Sequence, residues 1–167
     1  QQDPVSSHPA TPSSALGREG AESDVAADSK SAEEGIAEKA EEKSFRETAD
    51  ALKQALQTSP ELKELAQHLL IDMTPEGLRI QIVDQEGKPM FELGKATPLP
   101  QARELMLLIA KTVADLPNRI SVRGHTDSRP YGAGATYTNW ELSSDRANAS
   151  RRVLLEGGLD IDRIENV

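Results

Sequence analysis

Arg146 occupies a position where an apolar residue is expected. With residues 142–155 laid on a helix at about 100° per residue, it falls between Leu142, Ala149 and Val153, in the middle of the stripe that faces a core. An isolated buried charge is costly, so the pattern calls for an acid. Asp127 is the candidate, because it ends the preceding strand and a strand-loop-helix return brings the two together. Two roles fit the pair. It can be a structural salt bridge, or it can bind a free amino-acid head group, whose ammonium meets the acid while its carboxylate meets the parallel donors of the arginine and the N–H groups of the helix start.

Other side chains near this pair offer weaker chemistry. His125 could ligate a metal, but His8 lies in a polar tail and His68 ends a helix, so a loop histidine bonded to the backbone is the simpler expectation. Ser143, His125 and Asp127 together contain a nucleophile, a base and an acid, which admits a hydrolase. No Gly-x-Ser-x-Gly elbow accompanies them, and capping or ligand roles suit them equally. Trp140, the single tryptophan, is expected to cover the core beside the helix start rather than to stack on a sugar.

The elements that must position these residues begin late in the chain. Residues 1–30 are Pro, Ser, Ala, Gly, Asp and Glu with isolated apolar residues, which predicts a flexible tether, and the Ala, Glu and Lys of 31–43 predict at most a frayed, solvated helix. Ser44 and Glu47 have capping-box spacing ahead of Phe45, Ala49, Leu52 and Leu56. Ser59-Pro60 reads as a second cap before Leu62, Leu65 and Ala66. A hairpin follows, with Leu69–Met73 and Leu78–Ile82 joined through Pro75-Glu76-Gly77, then a short strand at Met90 and Phe91. Leu105, Leu108, Ile109, Thr112 and Leu116 predict a helix, Ile120–Gly124 a strand ending at His125, and Leu142–Leu155 the last full helix, stopped by Gly157-Gly158. The order predicts an α+β two-layer sandwich with helices on one face of a mixed sheet.

Composition narrows the function. A net charge of -9 over 167 residues argues against nucleic acid, and the absence of cysteine removes disulfides, thiolate metal sites and a Cys nucleophile. No run of about 18 apolar residues is present to cross a bilayer. The chain opens on Gln1 rather than Met, which is expected for a cut or processed end and leaves room for a membrane anchor upstream.

Gly124-His125-Thr126-Asp127 followed by Asn139-Trp140-Glu141-Leu142-Ser143-Ser144-Asp145-Arg146-Ala147 resembles the signature of the OmpA-like domain family. The resemblance implies non-covalent binding of the diaminopimelate of peptidoglycan stem peptides. Asp127 would hold the ligand ammonium and Arg146 its carboxylate, with Asn139, Thr126, Leu142 and Ser143 in support. No catalysis, cofactor or metal is implied.

Residues 76–82, Pro89-Met90-Phe91, Arg129-Pro130-Tyr131, 137–140 and 146–152 are similar to the MotB group of flagellar stator subunits rather than to porins or lipoproteins. The likeness runs from about Ser59 to Val167. It implies a homodimer on the periplasmic side of the bacterial inner membrane, an upstream transmembrane helix with a proton-carrying acid, and assembly with MotA into an ion-driven torque generator held to the cell wall. The alternatives are an anchor for another envelope protein, or a cell-wall hydrolase. The family domain continues with a last helix and strand bearing Asn-Arg-Arg, so the expected divisions are a linker over 1–43, lead-in helices over 44–68 and a C-terminally incomplete binding domain over 69–167.

Overall fold

The computed structural model describes the backbone of residues 22–126 and 135–167, and within those ranges the side chains from residue 32 onward. The chain divides into two units, Gln1–Lys39 and Ala40–Val167. Helix α1 spans Glu22–Ala55 and so contributes to both. It corrects the expected helix start at Ser44, which lies inside the helix with its carbonyl accepting from the Thr48 hydroxyl at 2.9 Å. The cause is local. The segment 31–43 is rich in strong helix formers, and Arg46–Glu42 and Lys43–Glu47 pair one turn apart, so helix propagates outward from the packed part of α1. Residues 22–43 are helical, where a flexible tether was expected to about residue 30 and at most a frayed helix over 31–43; residues 1–21 lie outside the described ones.

In the second unit the stripe Phe45, Ala49, Leu52 and Leu56 is buried, so this part of α1 belongs to the core rather than leading into it. Helix α2 (Pro60–Ala66) starts as expected, with the Ser59 hydroxyl accepting from the Leu62 N–H at 3.2 Å and proline in its first turn. Strands β1 (Leu69–Thr74) and β2 (Gly77–Ile82) form the antiparallel hairpin, in a register from Leu69 opposite Ile82 to Thr74 opposite Gly77. Gly77 turns with φ 125°, and a Cβ there would reach 3.5 Å from the Phe45 ring, so the hairpin tip packs on α1.

Helices α3 (Pro100–Val113) and α4 (Asn139–Glu156) pack on one another. At Gly157 a Cβ would come within 2.5 Å of the Ala110 methyl, which leaves room only for glycine at that crossing. Strand β3 (Ile120–Ser121) pairs in parallel with β4 (Ile164–Asn166), and the Val122 N–H continues the ladder to the Asn166 carbonyl at 2.9 Å. The fold is α+β, but among the described residues the single mixed sheet is replaced by two two-stranded sheets. The expected strand at Met90 and Phe91 supplies only the isolated bridge Phe91–Pro98, because the chain turns again at once.

Arg163, on the short 3-10 turn before β4, ties this pair to α3. Its Nε donates to Asn118 O at 3.0 Å, and its Nη1 to Val113 O at 2.9 Å and Ala114 O at 3.0 Å, which places a cation on the carbonyl end of α3. Nothing in the sequence pattern marked this residue.

Candidate functional site

The site is built where the end of β3 meets the first turns of α4. Gly124 makes the approach possible. A Cβ at that position would lie 2.0 Å from the Ser143 carbonyl oxygen and 2.9 Å from the Ala147 nitrogen, so the strand end rests directly on the helix backbone. His125 and the half-buried Thr126 leave this contact toward Asp127. Asp127 and residues up to 134 lie outside the described ones, as does the proposed pairing of Asp127 with Arg146.

Helix α4 starts with a capping box. The Thr138 hydroxyl accepts from the Trp140 N–H at 3.3 Å, and the Glu141 carboxylate accepts from the Thr138 N–H at 2.7 Å and from the Thr138 hydroxyl. That hydroxyl, ahead of the Glu141 and Thr138 backbone N–H groups, holds the Glu141 carboxyl below its ordinary range. Tyr137 donates to Asp145 at 2.7 Å across the same turn. Thr138 and Glu141 share the capping-box spacing of Ser44 and Glu47, but Thr138 stands at a helix start whereas Ser44 lies inside α1.

Arg146 is half-buried on α4, as its place in the stripe required, but its partners among the described residues are backbone carbonyls. Nε donates to Lys95 O at 3.0 Å, Nη1 to His125 O at 3.1 Å and Nη2 to Glu92 O at 3.4 Å, and the guanidinium lies 5.0 Å from the centre of the Phe91 ring. Of its five N–H donors, one on Nη1 and one on Nη2 have no partner among the described residues. An arginine with a donor open on each terminal nitrogen can still bond a carboxylate. Sequence reasoning missed Phe91, Glu92 and Lys95, since a carbonyl acceptor leaves no mark on residue type.

The remaining expected site residues are arranged unevenly. Leu142 is buried in the interior and Asn139 opens α4, while Ser143 donates to the Trp140 carbonyl at 2.9 Å, so its hydroxyl is engaged one turn back in its own helix. Trp140 corrects its expectation: it is 82% exposed rather than packed on the core, because it lies on the outer side of the first turn. No grouping of His, Cys, Asp and Glu able to hold a metal occurs among the described residues. No helix among them is long and apolar enough to cross a membrane.

Residues 90–167 match the OmpA family. Over 135 residues the chain is 45% identical to motility protein B of Escherichia coli strain K12, a match covering 80% of this chain and 44% of that protein. It is 37% identical over 98 residues to motility protein B of Bacillus subtilis strain 168, covering 56% of this chain and 35% of the relative. The chain thus spans less than half the length of these relatives. Among solved structures, a MotB-like protein from Desulfovibrio vulgaris shares the fold with a TM-score of 0.60 at 16% identity, over 76% of this chain and 78% of that one.

Proposed function

Starting from an OmpA-family domain over residues 90–167 in a chain akin to motility protein B, we propose that this protein is a non-catalytic anchor that binds peptidoglycan. The observation that carries the reading is the Arg146 fork, half-buried, held by three carbonyls and, among the described residues, left with one donor on each of Nη1 and Nη2 for a carboxylate. The ligand is the zwitterionic end of a diaminopimelate stem peptide, its carboxylate on Arg146 and its ammonium on Asp127, with Thr126, Asn139, Leu142 and Ser143 shaping the surroundings. In the whole protein the domain serves a flagellar stator: it works as a homodimer in the periplasm, tethered to the inner membrane by an upstream helix, and it secures a MotA-containing torque generator to the wall.

The test is cosedimentation with purified diaminopimelate-type cell wall, beside thermal melts with and without a soluble diaminopimelate muropeptide. Wild type should pellet with intact wall and gain thermal stability with the muropeptide. Asp127→Ala and Arg146→Ala should each lose about 2–5 kcal/mol of binding, since each leaves one ligand charge unpaired. Arg146→Lys should fail as well, because an ammonium cannot reproduce the fork. Unchanged binding by these variants would sink the site, and release of soluble wall fragments would identify a hydrolase instead.

A further inference from the structure

The geometry points to a positioning device for the carboxylate site: we propose that the turn Phe91–Lys95 grips the Arg146 guanidinium by one edge and one face, so that the donors on Nη1 and Nη2 without a partner among the described residues are held in place for the ligand. This rests on the reading of Arg146 as the carboxylate-binding residue. Lys95 O takes the Nε–H and Glu92 O takes Nη2, so two carbonyls of one turn hold one side of the plane. The Phe91 ring covers a face at 5.0 Å, and His125 O fixes Nη1 from the strand side. A guanidinium held on these sides has little rotational freedom left to lose when it meets a planar carboxylate.

The turn is itself over-determined. The Lys95 N–H closes it onto Glu92 O at 3.0 Å, so that carbonyl accepts from both the turn and Arg146. Lys95 Nζ pairs with the Glu92 carboxylate, the Glu92 N–H bonds Thr97 O at 3.2 Å, and Phe91 bridges Pro98. At the base, Met90 is 1% exposed and its carbonyl accepts from the Leu99 N–H at 2.8 Å. Gly94 supplies the left-handed step, at φ 67° with open space where a Cβ would stand. An L-residue there is opposed by backbone conformation and not by packing, so a substitution moves the Glu92 and Lys95 carbonyls without opening the core.

Gly87 provides a matched control in the same chain: φ is 73°, and nothing lies within 4 Å of its would-be Cβ, but its turn does not touch Arg146. In cosedimentation with diaminopimelate-type wall by the full chain, Gly94→Ala and Phe91→Leu should weaken binding about three- to tenfold. Gly87→Ala, and Phe91→Tyr which keeps the ring, should bind as wild type does. In NMR spectra the Arg146 Nε–H, bonded to Lys95 O, should be protected from exchange in wild type and lose that protection in Gly94→Ala. If Gly94→Ala and Phe91→Leu bind normally while Arg146→Ala does not, the turn has no positioning role and the ligand site survives. Equal losses in Gly87→Ala and Gly94→Ala would also overturn the inference, and normal binding by Arg146→Ala would remove both readings together.

Discussion

A side chain can be forbidden at a site for reasons of space alone, and Gly124 is that case here. Its backbone has no left-handed φ, so conformational freedom is not what it provides; the missing Cβ is. Because the nearest atoms are the Ser143 carbonyl and the Ala147 nitrogen, α4 backbone would have to move to admit a methyl group. Gly124→Ala is expected to cost about 3 kcal/mol, at the upper end of overpacking effects, and to weaken wall binding by shifting His125 O away from Arg146. A thermal melt beside cosedimentation checks both, and a variant with the wild-type midpoint would show that the strand end can retreat freely. At this scale the sequence was informative about charge and not about partners. Arg146 stood out because it interrupts an apolar stripe; its partners among the described residues are three carbonyls, which leave no mark on residue type, the acid expected beside it lies outside those residues, and Trp140 is exposed where burial was expected.

At the scale of the element, α4 is set by its first turn. The Glu141 carboxyl titrates below its ordinary value in the folded chain, so the stability it contributes is present above the usual glutamate pKa of about 4.3 and is lost as pH falls through the lowered one. Melts between neutral pH and about pH 3 should show the gap between wild type and Glu141→Ala holding steady and then closing in acid. Glu141→Gln, which can still serve the box, should lack that dependence. A constant gap through the acid range would rule out the carboxylate as its source. Helix α1 poses a different question, because helical backbone is not equally supported along its length. Amide exchange should be fast over Ala40–Ser44 and slow from Thr48 to Leu56, where Ala49, Leu52 and Leu56 are buried. Uniform protection would mean that local propensity, and not packing, holds this part of the helix. The apolar spacing of 45–56 was legible; the upstream start was not, since the same Ala, Glu and Lys residues suit both a solvated helix and a tether until a packed segment nucleates it.

For the molecule as a whole, the elements were legible and their assembly less so. Hairpin, α3 and α4 follow from alternation, stripe and breaker residues, and Ser59-Pro60 and Gly157 stand at the ends predicted for them. What joins distant parts was hidden: Arg163 reaches the end of α3 through carbonyls, and β4 is only three residues long, below the length at which alternation can be read. The expected α+β class holds, while among the described residues the strands pair as two small sheets and Phe91 contributes a single bridge.

The parallel pairing of β3 with β4 has a consequence in time. The hairpin can close between neighbours in the chain, whereas Ile120 meets Ile164 only after the intervening α4 has formed and folded back, so closure entropy delays that contact. Contacts made after the rate-limiting step appear in the unfolding rate and not in the folding rate. Arg163→Ala, which removes the bonds from this corner to α3, should cost about 1.5–3 kcal/mol. In stopped-flow chevrons nearly all of that loss should fall on a faster unfolding limb, with the refolding limb unmoved. Should refolding slow by the same free energy, β4 would be part of the nucleus, and the chain would begin to fold by a long-range pairing and not by its hairpin.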